Sequence, residues 1–234
     1  MRINVVTIFP ETMETIFGTG MLGIAKKKGL VAFRTVSPRE FTSDAHRTVD
    51  DSPFGGGAGM VMMAPPIVDA VESLNRAPGS PVVLMSPAGK RFEQKDAERL
   101  SREKELTFIC GRYKGVDQRV RELVVTEEIS LGDFVLSGGE LAAAAVIEAA
   151  VRLVDDVLGD DESANTDSFA AGREGRLDCA WYTRPAEYRG LKVPDVLMSG
   201  HHAEIEKWRR NSSLERTRHL RPDLIDKGNK EEVS

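Results

Sequence analysis

Short β-branched runs separated by longer stretches of helical period constrain this chain more than any other feature. The runs "INVVTIF" (3–9), "LVAFRTV" (30–36), "PVVLMSP" (81–87) and "LTFICG" (106–111) read as strands, and the segments 11–28, 65–76 and 92–104 read as helices. Strands interleaved with helices predict an α/β fold whose parallel sheet is covered on both faces. Further on, "TEEISLGDFVLSGGE" (126–140) reads as a loop with a short strand-like centre. It leads into "ELAAAAVIEAAVRLV" (140–154), the strongest helix in the chain by intrinsic propensity.

The 234 residues suffice to bury a substantial core without staples, and 41% apolar with 29% charged residues fits a soluble globular chain. Cys110 and Cys179 have no second Cys or His at ligand spacing, which fits a reducing compartment and argues against structural zinc. There is no apolar run of membrane-spanning length, and "MRINVVTIFP" lacks the cleavage site of a signal peptide. The expected location is the cytoplasm.

The texture changes near residue 160. "GDDESANTDSFAAGREG" (159–175) is small, polar and acidic and reads as a linker, whereas "HHAEIEKWRRNSSLERTRHLRPDL" (201–224) reads as one or two amphipathic helices around Ile205, Trp208 and Leu214. The expected division is 1–159, a flexible linker 160–175 and a helical domain 176–234. Net charge is −5, yet Lys207 to Arg221 carries six bases against Glu215 alone, a local +5 that reads either as an RNA footprint or as a solvated helix face. The acidic run 155–162 reads as solvated and facing away from RNA.

Open α/β sheets bind ligands beyond the carboxyl ends of their strands. Three loops there carry glycine or proline, "MSPAGK" (85–90), "CGRYKG" (110–115) and "LGDFVLSGGE" (131–140), and together they suit a purine-bearing ligand read by main-chain groups. The chain contains neither G-x-x-x-x-G-K-[ST] nor a G-x-G-x-x-G between the first strand and helix, which excludes the P-loop and the standard dinucleotide fingerprint. The glycine-rich "DDSPFGGGAGM" (50–60) runs into Met60–Val61–Met62–Met63, which offers a phosphate neither lysine nor hydroxyl.

"DAHRTVDDSPFGGGAGMVM" (44–62), "CGRYKGVDQRV" (110–120), "EISLGDFVLSGGEL" (128–141), "DSF" (167–169), "YTRP" (182–185) and "SGHHAEIEKWR" (199–209) occur in this order. Together they resemble the bacterial tRNA (guanine-N1)-methyltransferase family, TrmD, of the SPOUT class, over nearly the whole chain. The resemblance implies a deep trefoil knot in the α/β domain, a small helical C-terminal domain that grips tRNA, and a homodimer with a shared active site. It implies methyl transfer from S-adenosylmethionine to N1 of the guanosine immediately 3′ of the anticodon. The cofactor would be held by Ser86, Pro87, Gly111, the run Leu131, Gly132, Asp133, Phe134, Val135 and Leu136, and by Gly138 and Gly139. The 50–60 loop would lie near the substrate base across the dimer, its glycines giving clearance.

By the same match Asp167 is the general base that takes the guanine N1 proton, and Arg152 meets O6. From the residues alone, Asp167 also reads as an N-cap for a helix starting at Ser168, and Arg152 as the partner of Glu148 one turn earlier. Lys207, Arg209, Arg210 and Arg216 are the candidate phosphate contacts, and Trp208, Ile205 and Leu214 the candidate core of the small domain. His46 and Arg47 either touch the substrate nucleotide or brace their loop. Two departures stand out. Lys114 occupies a position where the family often has a Glu tied to metal-dependent activity, which leaves a Mg2+ requirement open and gives no metal ligand here. Ala142 replaces a common proline. The rival readings are a SPOUT enzyme with another RNA target, a non-catalytic RNA-binding sensor and a nucleotide-dependent phosphotransferase. "TDSF" with "HHAEIEKWR", the presence of Asp167 and Arg152, and the missing P-loop lysine count against them in turn.

Overall fold

A computed structural model describes residues 1–158 and 166–225 and divides the chain into two compact units, Met1–Gly159 and Asp160–Ser234. In the first unit the order is β1 (Arg2–Val6), α1 (Pro10–Phe17), α2 (Gly20–Lys27), β2 (Ala32–Val36), β3 (Asp50–Asp51), β4 (Val61–Met62), α3 (Ala64–Glu72), β5 (Val82–Arg91), α4 (Gln94–Ser101), β6 (Glu105–Cys110), α5 (Gln118–Leu123), β7 (Glu127–Ser130) and α6 (Glu140–Val151). Five strands form one sheet in the order β2-β1-β6-β5-β7, every neighbouring pair parallel.

Parallel strands are buried on both faces, so their sequences run apolar without a break. Central β6 is buried at every residue, and its two polar members, Glu105 and Thr107, are hydrogen-bonded to Asn4. Its Leu106, Phe108 and Cys110 pack on one face with Met13, Phe17 and Ile147 from α1 and α6, while Ile109 packs on the other with Ile67 and Val120 from α3 and α5.

The expected single helix over 11–28 is two. Gly18 closes α1 by donating its N–H to Glu14 O and Thr15 O, and Gly20 takes φ +55. The break is tight, because a Cβ on Gly23 would lie 2.6 Å from Gly18 O. The strand expected at the centre of 126–140 lies instead at its start, since only Glu127–Ser130 finds a partner in β5. Residues 131–139 are left as loop.

The second unit contains the antiparallel hairpin β8 (Glu187–Tyr188) and β9 (Leu191–Lys192), the short α7 (Asp195–Met198) and α8 (His202–Leu220). The hairpin turns through Arg189 and Gly190, both at positive φ (51° and 80°), as a two-residue turn matched to strand twist requires. The region 201–220 is thus one helix, and its inner face is not the apolar set expected. Ile205, Trp208 and Leu214 are half-buried; the buried residues are Ser213 and Thr217. Ser213 Oγ donates to Leu177 O at 2.6 Å, Thr217 Oγ1 accepts from Leu177 N at 3.1 Å, and Ser212 Oγ accepts from Ala180 N at 3.0 Å. Hydroxyls therefore fasten α8 to the 177–180 segment.

Residues 159–165, part of the expected linker and acidic run, lie outside the described residues. From Thr166 onward the chain folds back on itself: Phe169 N donates to Arg176 O at 2.8 Å, and Arg173 pairs with Asp178 at 3.1 Å. Among the described residues no helix is long and apolar enough to cross a membrane.

Candidate active site

The site is built at the carboxyl ends of β5, β6 and β7. Strand β5 is interrupted there: Met85 and Lys90 both pair with Ile129 of β7, so Ser86–Gly89 bulges out of the ladder. The bulge needs its glycine, because a Cβ on Gly89 would lie 2.5 Å from Ile129 N. It forms one wall of a cavity of about 460 Å3, whose other walls are the 111–116 and 131–139 loops. Ser86, Pro87, Gly111, Leu131, Gly132, Phe134, Val135, Leu136, Gly138 and Gly139 all line it; Asp133 does not.

The two larger loops are stitched together. Gly139 N donates to Gly111 O at 2.9 Å, and Arg112 and Gly138 form an isolated antiparallel bridge. A Cβ on Gly139 would lie 2.9 Å from Cys110 Cα. Beside this seam Glu140, the first residue of α6 and 2% exposed, accepts from Thr7 Oγ1 at 2.7 Å and pairs with Arg112 Nη2 at 3.1 Å. The positive end of the helix dipole favours a carboxylate at this position. The Arg112 guanidinium also lies 4.3 Å from the Phe9 ring centroid. This ion pair explains Gly138, since a Cβ there would meet Arg112 Nε and Glu140 Oε2 at 2.5 Å. Burial, and after it the Glu140 carboxylate, pushes the neighbouring Cys110 thiol well above its usual range.

The glycine-rich stretch is the connection between paired strands, with Asp50 opposite Met62. Gly55, Gly56, Gly57 and Gly59 all have positive φ, and nothing lies within 4 Å of a Cβ on the first three. Within one chain, their positive φ alone already favours glycine at those three. Gly59 is different: its Cβ would lie 3.0 Å from Lys114 Cγ, and Lys114 lines the cavity. In the preceding loop the bracing residue is Asp44, which accepts from His46 N (3.1 Å) and Thr48 N (3.0 Å); the His46 and Arg47 side chains are exposed.

Arg152 caps α6 at its far end, where its N–H donates to Glu148 O at 3.1 Å. Twelve residues at the helical rise separate it from Glu140 by about 18 Å along the axis, so within one chain it does not join the cavity. Asp167 is half-buried, and no helix starts at Ser168, so the N-cap reading is set aside: Ser168 Oγ instead accepts from Asp178 N at 2.9 Å. Of the four candidate phosphate contacts, Arg209 pairs with Glu206 at 2.6 Å and Arg216 Nε donates to Asp178 O at 3.2 Å. Lys207 and Arg210 are exposed on α8. Sequence reasoning missed Arg112 and Glu140, although both lie in motifs it quoted; no spacing rule links residues 28 positions apart.

The chain matches the family described as tRNA (Guanine-1)-methyltransferase TrmD over residues 1–227. It is 52% identical over 228 residues to the tRNA (guanine-N(1)-)-methyltransferase of Bacillus pumilus, covering 97% of this chain and 92% of that protein. It is 52% identical over 233 residues to the protein of the same name from Bordetella parapertussis (97% and 91%) and 50% identical over 227 residues to that of Bacillus subtilis (96% and 92%). With the matched region spanning almost the whole sequence, the chain belongs to the TrmD family of tRNA (guanine-1)-methyltransferases.

Proposed function

We propose that this protein is a tRNA (guanine-N1)-methyltransferase that uses S-adenosylmethionine to modify the guanosine immediately 3′ of the anticodon. The observation that carries the reading is the cavity. Its volume falls in the range of small-ligand sites, about 300–1,000 Å3, and its walls are glycine-rich main chain with apolar side chains. Such walls fit an adenosyl group, and the missing side chain of Gly139 lets the 131–139 wall close against Cys110 and Gly111. Ser86, Pro87, Gly111, Leu131, Gly132, Phe134, Val135, Leu136, Gly138 and Gly139 would hold the group, Asp133 falling outside the lining, and the three loops would thread the knot. Bound there, S-adenosylmethionine supplies an electrophilic methyl on a positively charged sulfur.

The protein's own part is deprotonation and charge stabilisation. N1 of neutral guanine carries a proton and is not a nucleophile until it loses it. Asp167 takes that proton, and the Arg152 guanidinium meets the negative charge that spreads to O6. Arg152 stands at the end of α6 remote from the cavity, which supports a homodimer in which one copy brings Arg152 and Asp167 to the cavity of the other. The exposed Phe134, Val135, Leu136 and Leu141 around the cavity give such a partner an apolar surface to cover. Lys207, Arg209, Arg210 and Arg216 would meet tRNA phosphates. A lysine at 114 binds no magnesium, so the assay is run with and without EDTA.

The test is methyl transfer from labelled S-adenosylmethionine to two tRNA transcripts, one with guanosine next to the anticodon and one with adenosine there. Label on the first alone, at N1, is the expected result. Equal label on both sinks the position, and cofactor binding without label on either sinks the enzyme. Asp167→Asn should lower the single-turnover rate about 10²- to 10⁴-fold, the range of general-base catalysis, with cofactor affinity unchanged; near-normal turnover would remove Asp167 from the mechanism.

A further inference from the structure

In the second unit Trp181, Tyr182, Tyr188 and Leu191 are exposed over 62%, 49%, 61% and 79% of their surface, all within residues 181–193. The β8–β9 hairpin gathers three of them. Tyr182, Tyr188 and Leu191 line a cleft of about 320 Å3 together with Arg184 and Lys192. The same segment carries Arg184, Arg189 and Lys192 against Glu187 alone, a local +2 on a chain whose total is −5. Its cations accompany its rings: the Arg189 guanidinium is 5.3 Å from the Tyr188 centroid, and Arg209 of α8 is 5.0 Å from that of Trp181.

A structural cluster would bury these rings, and a merely solvated face would not gather four large apolar side chains. Exposed rings alternating with cations meet the two demands of an unpaired nucleotide: flat faces for the base and positive charge for its phosphate. The positive balance selects a phosphate-bearing ligand over a neutral apolar one.

We propose that the cleft of Tyr182, Tyr188 and Leu191, rimmed by Arg184 and Lys192, is a single-stranded RNA subsite. It stacks one unpaired tRNA base and holds the adjoining phosphate, apart from the guanosine that is methylated. The subsite rests on the reading of this chain as a tRNA-modifying enzyme.

The experiment uses the full-length protein and a tRNA transcript. Equilibrium tRNA binding, cofactor binding and sedimentation mass are measured for the wild type, Tyr188→Leu, Tyr188→Phe and Arg184→Gln. Tyr188→Leu should weaken tRNA binding about 5- to 100-fold, the effect of losing one stacking ring, while Tyr188→Phe, which keeps the ring, stays near wild type. Arg184→Gln should weaken binding and lower the salt slope by about one phosphate contact. Cofactor affinity and mass should hold in all three, showing that the variants are folded. Undiminished tRNA affinity in both Tyr188→Leu and Arg184→Gln overturns the subsite, as does a change of assembly mass in Tyr188→Leu, which would give the cleft to a second copy. The two readings fail separately. A wild type that methylates tRNA while the variants bind normally sinks only the subsite; a wild type that never methylates, but binds RNA with the stated ring dependence, sinks only the enzyme.

Discussion

The two units are held together by different physics. The first has an apolar cluster on each face of its sheet, and every such cluster among the described residues lies there. The second fastens its longest helix through Ser212, Ser213 and Thr217 and leaves Phe169, Trp181, Tyr188 and Leu191 exposed. Apolar burial is non-directional and grows with area, whereas a hydrogen bond contributes only about 0.5–1.5 kcal/mol net but fixes one geometry. A unit built the second way keeps its rings and cations at the surface, where a large polyanion can reach them. The contrast suits the division of labour proposed above, between a cofactor cavity in the first unit and an RNA-binding surface on the second.

The largest effect should come from the apolar side. Phe108→Ala, at a fully buried site in central β6, should cost about 3–5 kcal/mol in urea unfolding of the first unit. A loss below about 1 kcal/mol would break the contrast at its stronger end. Glu140→Gln probes the polar exception inside that unit. It keeps an acceptor for Thr7 but loses the charge facing Arg112, and should cost about 1.5–3 kcal/mol, the worth of a hydrogen bond to a charged group. Its cofactor affinity should fall as well, because Arg112 lines the cavity. Thr217→Val keeps the shape but leaves Leu177 N without its acceptor. It should cost about 1–3 kcal/mol, the penalty of an unsatisfied buried donor, seen as faster amide exchange at Leu177. If Leu214→Ala costs more than Thr217→Val, the second unit has an apolar core after all. The smallest effect is chemical. Burial raises both thiols, so at pH 7 neither should react with a thiol reagent before unfolding, and two should react afterwards.

The sheet was legible because doubly buried strands have no polar face to blur the pattern; β6 is apolar or internally bonded along its whole length. Thr107 within it accepts from Asn4 Nδ2 at 3.3 Å, so its hydroxyl does not interrupt the strand. The cavity loops were legible as glycine and proline at strand ends. The inner face of α8 was not, because Ser213 and Thr217 look like solvent-facing residues until their partners, 36 and 40 positions away, are known. The Thr7–Glu140–Arg112 cluster was hidden for the same reason, with its members spread over 133 positions. Periodicity reports burial of apolar groups. It is silent on polar groups buried by long-range bonds.

The shared pairing of Ile129 with both Met85 and Lys90 bears on how this site can change over time. An ordinary surface loop gains or loses residues freely, because its ends are free to adjust. Here the excursion is anchored at both ends in one ladder, and its closing residues Lys90 and Arg91 must resume pairing with the correct alternation. A change of one residue that the excursion failed to absorb would slide the closing segment along β7 and turn its side chains to the opposite face of the sheet. This wall of the cavity therefore varies more readily in chemistry than in length, so a lineage or an engineer seeking a different pocket here meets substitution as the easier route.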